Sequence, residues 1–110
     1  MRAGNITVIV YQTESGKQPY RDWLNGLKDQ TVVGRIRARI DRVEQGNLGD
    51  HKSIGLGLME LRFKFGSGYR VYFGFDGDKL VVLLAGGDKR TQKKDIKQAH
   101  ENWADYRRRK

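Results

Sequence analysis

Residues 58–87 read LMELRFKFGSGYRVYFGFDGDKLVVLLAGG, and this stretch decides the fold. Over 58–65 (LMELRFKF) polar and apolar side chains alternate, GSG turns the chain at 66–68, and 69–75 (YRVYFGF) alternates again. Period two on both sides of a glycine turn predicts a β-hairpin. DGD turns the chain once more at 76–78, and 79–87 (KLVVLLAGG) is a near-continuous apolar run. It is too short for a stable free helix and is bounded by turns, so it reads as a buried central strand.

The rest of the chain is placed around that core. Residues 5–11 (NITVIVY) are β-branched and aromatic and read as a first strand, which ESGKQPY then breaks. Ser15 is a candidate helix cap, with Pro19, the sole proline, in the first turn. Tyr20, Trp23, Leu24 and Leu27 then recur at helical spacing on one face. A second helix is expected from Asp29 to Gln45, with Val33, Ile36, Ile40 and Val43 inward and Arg35, Arg37, Arg39 and Arg42 mostly outward. Gly46, Asn47 and Gly49 end it and open a loop that includes His51. A last helix starts near Thr91, with Ile96, Ala99 and Trp103 on its inner face, and runs into the tail Arg107, Arg108, Arg109, Lys110. The order β-α-α-β-β-β-α predicts one α+β domain over 1–110. In it a small twisted, mostly antiparallel sheet packs on an N-terminal helical hairpin, with a C-terminal helix added.

Composition narrows the function. Lys and Arg total 22 against 13 Asp and Glu, for a net charge of +9 and a pI near 10. Such an excess in 110 residues points to an anionic partner, with nucleic acid foremost. There is no run of about 18 apolar residues to span a bilayer. The opening MRAGNITVIVYQTES reads as a strand and not a signal peptide. A cytoplasmic protein with no membrane partner is expected. With no cysteine, no ligand spacing between His51 and His100, and carboxylates scattered along the chain, no metal or other cofactor is expected. No serine sits in a nucleophile-elbow setting.

Strand alternation locates the charge. In the first hairpin arm Leu61, Phe63 and Phe65 share one face and Glu60, Arg62 and Lys64 the other; in the second, Val71, Phe73 and Phe75 oppose Arg70 and Tyr72. If the apolar sets cover the core, an open face carries Arg62, Lys64, Arg70, Tyr72 and Glu60, a basic patch with a tyrosine able to stack a base. A polar solvent face is the ordinary state of a half-buried sheet. Here the positive excess, the tyrosine and a second basic cluster point further. That cluster is GGDKRTQKKD (86–95), where Lys89, Arg90, Lys93 and Lys94 surround a helix start that Asp88 or Thr91 caps. Free N–H groups at such a start favour phosphate.

The ordered segments ELRF, GYRVYF and GGDKRTQ, joined by two short turns and preceded by WLNGL, resemble the RelE/ParE toxin superfamily, in particular its HigB-like, phage-derived addiction-module-killer branch. The resemblance implies a type II toxin. Its activity would be metal-independent, ribosome-dependent mRNA endonucleolysis. Its partners would be mRNA on the ribosome and a cognate antitoxin with a helix-turn-helix domain, through which alone it reaches operator DNA. It implies Arg70 on the scissile phosphate and Lys89-Arg90 as a second basic position, with Arg62 and Lys64 matching the preceding strand's cations in kind. Tyr72 stands nearest to the tyrosine such enzymes carry late in the chain, where this sequence has Ile96; His100 is a further candidate acid or base. Lys64, Lys93, Lys94, Arg107, Arg108 and Arg109 are the candidate RNA-binding cations. Two alternatives stay open: a ParE-like inhibitor of DNA gyrase, and an RNA-binding module without catalysis.

Overall fold

Asp29 Oδ1 accepts hydrogen bonds from the N–H groups of Thr31 (2.9 Å) and Val32 (3.4 Å), which satisfies two free donors at a helix start. In the computed structural model, which describes residues 5–110, helix α2 accordingly runs Gln30–Glu44. Pro19, whose fixed φ suits a first turn, opens helix α1, Pro19–Asn25. The residue before it is Gln18, so Ser15 does not cap α1; its hydroxyl lies 3.0 Å from that of Thr13 instead. One 3-10 turn over Lys89–Thr91, capped by Asp88, leads into helix α3, Gln92–Arg108.

Five strands, β1 (Thr7–Val10), β2 (His51–Ser53), β3 (Leu58–Arg62), β4 (Arg70–Phe75) and β5 (Leu80–Gly87), form one mixed sheet in the order β1-β5-β4-β3-β2. β2 through β5 pair antiparallel, and β1 lies parallel to β5. The α+β architecture expected from the chain is the one observed. β2 falls in the glycine-rich stretch read as loop. Three exposed residues carry no periodicity, and pairing with β3 alone (His51 opposite Leu61, Ser53 opposite Met59) makes them a strand.

Both faces of the sheet are covered. On one, Leu61, Phe63, Val71, Phe73, Val81 and Leu83 pack with Tyr20 and Leu24 of α1 and Val33, Ile36 and Val43 of α2. On the other, Leu58, Tyr72, Val82, Leu84 and Ala85 pack under Ala99 and Trp103 of α3. One tryptophan seats on each face over a glycine, since a Cβ at Gly86 would fall 2.1 Å from the Trp23 ring and one at Gly74 2.7 Å from the Trp103 ring. The β4–β5 register skips Leu84, because Tyr72 pairs with Ala85 and Phe73 with Leu83. The resulting bulge turns both Leu84 and Ala85 toward α3. Buried Asn102 of α3 supplies a partner there, its Nδ2 donating to the Leu84 carbonyl at 2.9 Å.

This layering corrects one expectation. The hairpin face read as open is capped by α3 along most of its length, and Tyr72 on it is 0 % exposed and Glu60 1 %. The amphipathic face of α3 was legible; that it lies on this side of the sheet was not, since a helix carries no mark of which sheet face it covers. No helix among the described residues is long and apolar enough to cross a membrane.

Candidate nucleic-acid interface

Helix α3 reaches the sheet at Glu60, whose carboxylate accepts from Gln92 Nε2 at 2.7 Å. Beyond that point the face is open, and a groove of about 410 Å³ lies there. Arg62, Lys64, Arg70 and Lys89 line it, with Asp50 at the side and the Gly66-Ser67-Gly68 turn as part of its wall. Four of the cations singled out in the sequence therefore converge.

The convergence has a local cause. Gly66 and Gly68 hold φ of 60° and 74°, a region glycine enters without steric cost. The tight turn brings the hairpin tip against the end of β5. The Lys89 N–H donates to the Ser67 carbonyl at 3.4 Å, Ser67 Oγ donates to Asp88 at 3.5 Å, and a Cβ on Gly68 would press to 3.3 Å on Lys89 Cβ. Two segments 21 residues apart thus share one wall. Arg62 and Arg70 are directly paired across β3 and β4, and like charges so placed repel.

From α2, Arg39 ties down the opposite wall. Its guanidinium donates to the carbonyls of Leu48 (3.1 Å), Asp50 (2.6 Å) and Arg62 (3.0 Å), and it lies 4.9 Å from the Phe63 ring centre. Desolvation lowers its pKa from the ordinary arginine value. Periodicity placed Arg39 on an outward face of α2, and no pattern in the sequence signals its role as a loop clamp.

The pairing state of the cations differs. Among the described residues no ion pair forms at Arg62, Lys64, Lys89, Lys93 or Lys94, and the last three are exposed. Arg90 is spent on Asp88, 3.2 Å away. Burial resists ionisation of Asp88, but the side-chain and backbone bonds from Arg90 outweigh it and hold the carboxyl below its usual value. Arg107, Arg108 and Arg109 lie at the far end of α3, roughly 25 Å along a helix of 17 residues at 1.5 Å each. There Arg108 and Arg109 pair with Asp105, and Arg107 lies over the Trp103 ring. The structure does not bring these three to the groove.

Tyr72 is the other departure. Its hydroxyl is buried with no hydrogen-bond partner, and α3 shuts its ring away from any base. Burial first, then the Glu60 and Asp95 carboxylates, push its pKa well above the usual phenol value. His100 Nε2 bonds the Ile54 carbonyl at 2.8 Å and so fastens a loop, away from the groove. His51 Nδ1 bonds the Gly49 carbonyl at 2.7 Å on edge strand β2. No group of three or more His, Cys, Asp or Glu able to hold a metal occurs among the described residues.

A second groove, of about 330 Å³, runs between β1, α1 and α2. Its apolar floor of Val8, Val10, Tyr20 and Leu24 carries Arg21 and Arg37 balanced by Asp41 and Glu44, which gives no preference for a polyanion.

An uncharacterized protein of Haemophilus influenzae is 51 % identical over 80 residues, covering 73 % of this chain and 81 % of that protein. The model of the family described as phage derived protein Gp49-like (DUF891) matches residues 22–104, from α1 through the groove into α3, and the chain belongs to that family.

Proposed function

We propose that the protein is the toxin of a toxin–antitoxin pair and acts as a metal-independent mRNA endoribonuclease on the ribosome. The Gp49-like family is associated with the toxins of toxin–antitoxin pairs. The observation that carries the proposal is the groove itself, where Arg62, Lys64, Arg70 and Lys89 converge with no carboxylate ion-paired to three of them. Their charge suits a sugar-phosphate backbone, and mRNA is the substrate class whose own 2′-OH supplies a nucleophile without a metal.

In this mechanism the 2′-oxygen bonds to phosphorus and the bond to the 5′-oxygen breaks, leaving a 2′,3′-cyclic phosphate and a free 5′-hydroxyl. Arg70 and Arg62 stabilise the charge that grows on the phosphate oxygens. Asp50, the carboxylate lining the groove, takes the 2′ proton, and the ammonium of Lys89 gives one to the leaving oxygen. DNA lacks the 2′-OH and is not cut by this route. An antitoxin covers the same cationic surface with an acidic segment and keeps the toxin silent.

Induced expression followed by primer extension on cellular mRNA tests the proposal. Arg70→Ala should abolish both growth arrest and transcript cleavage while the circular dichroism spectrum stays that of the folded chain. Asp50→Asn should slow cleavage and leave RNA affinity intact. Full toxicity of Arg70→Ala would sink the assignment.

One observation favours a second reading. With Tyr72 sealed under α3, neither tyrosine nor histidine lines the groove, which suits a module that binds RNA without cutting it. That reading expects salt-sensitive RNA binding and intact transcripts on translating ribosomes.

A further inference from the structure

Glu60 is the most deeply buried charged residue among those described, at 1 % exposure, on β3 between Lys52 of β2 and buried Tyr72 of β4. Burying a carboxylate is costly unless it is paired and hydrogen-bonded. Glu60 is both, and in an uneven way. Its Oε2 accepts from Gln92 Nε2 at 2.7 Å but stays 3.8 Å from Arg70 Nε, outside hydrogen-bond range. Arg70 Nε is consequently a buried donor with no acceptor. The other side of the fork is fixed, since Nη1 donates to the Gly68 carbonyl at 2.9 Å and to the Tyr69 carbonyl at 3.1 Å.

We propose that Glu60 and Gln92 are positioning residues that hold the Arg70 guanidinium ready for an RNA phosphate, an inference that rests on the RNA-cleavage reading of the groove. The hairpin carbonyls set one end of the fork and the Glu60 charge steers the other. Gln92 keeps the carboxylate from closing on Arg70. A closed pair would spend on Glu60 the charge that a phosphate is to meet. Gln92 stands in the first turn of α3, next to Lys89–Thr91. The seating of α3 therefore fixes the geometry of Arg70, and the order of action is Gln92 on Glu60, and Glu60 on Arg70. Stability alone does not call for this trio, because well-packed apolar residues in place of a buried ion pair are often as stable or more so.

The test uses the full chain labelled with nitrogen-15. The Nε–H resonance of Arg70, assigned by its loss in Arg70→Lys, is followed in Glu60→Gln, Gln92→Leu and the double variant, alongside thermal midpoints and mRNA cleavage on ribosomes. Gln92→Leu leaves the ion pair in place and guards against an unfolded Glu60→Gln. Both single variants should move the Arg70 resonance and slow cleavage about tenfold or more, the effect of a misplaced catalytic group. The double variant should be no slower than Glu60→Gln, because Gln92 acts through Glu60. An unmoved Arg70 resonance in the folded variants, or losses that multiply in the double variant, would overturn the proposal. If the wild-type chain cleaves no mRNA, the cleavage reading fails by itself, and the resonance still decides whether Glu60 and Gln92 orient Arg70.

Discussion

The two ends of helix α3 carry the same kinds of side chain and differ in what has been done with them. At the C-terminal end Arg108 and Arg109 share Asp105 at 2.5 and 2.8 Å, and Lys110 holds Asp76 at 2.7 Å. At the N-terminal end Arg62, Lys64 and Lys89 face a groove with no carboxylate ion-paired to them, and Arg70 has Glu60 held back at 3.8 Å. One end uses its cations to close the fold on itself: Arg109 also donates to the Gln12 carbonyl, and the Tyr11 hydroxyl donates to Asp105 at 2.6 Å, joining the end of the chain to its first strand. The other end leaves three of its cations without an ion pair among the described residues. A count of lysines and arginines treats the two clusters alike; the carboxylates beside them tell the two apart.

Substitution at Arg70 should break that contrast most sharply. Losing a donor to the developing phosphate charge costs on the order of 10²–10³ in rate, so Arg70→Ala should lose that factor in single-turnover cleavage on ribosomes, while Arg108→Ala should match the wild type. Comparable rates for the two variants would mean that the groove is not where the chemistry happens.

Salt dependence sharpens the comparison with a smaller effect. Each phosphate contact to a single strand contributes about −0.7 to the slope of log K against log salt concentration. Lys89→Ala should flatten the slope for a short RNA by about that amount. Arg107→Ala with Arg108→Ala should leave it unchanged. A flattening by the tail pair equal to that of Lys89 would extend the interface along the whole of α3.

How far the sequence discloses this arrangement depends on what kind of signal each part leaves. Alternation in 58–65 and 69–75 reveals the hairpin, because successive side chains of a strand point to opposite faces of the sheet. Asp29 reveals the start of α2, because its carboxylate caps locally. Each basic cluster is legible in the sequence, and the GSG turn is what brings Lys89 to Arg62 and Arg70. Burial of Tyr72 and Glu60 left no trace, since polar letters on a strand face read as solvent-facing until a helix arrives from residues 92–108 to cover them. The tail misleads for the same reason in reverse. RRRK reads as a free basic run, while the partners that neutralise it, Asp76 and Asp105, stand apart in the sequence and meet it only in the fold.

The weakest expected effect concerns that closed end and has a defined sign. Hydrogen bonds from Arg109 and then Tyr11 hold the Asp105 carboxyl below its ordinary value of 3.8. A carboxylate whose pKa is lower folded than unfolded adds stability that is complete above the unfolded value and disappears as pH falls through the folded one. Asp105→Asn should therefore lower the urea midpoint by the same small amount at pH 7 and pH 5, and the gap from wild type should close below about 3.8. Lys89→Ala changes no such pair and should show no acid-dependent gap. A gap for Asp105→Asn that persisted undiminished at pH 2.5 would mean that Asp105 serves the fold through its shape and hydrogen bonds, and that charge pairing is not what separates the two ends of α3.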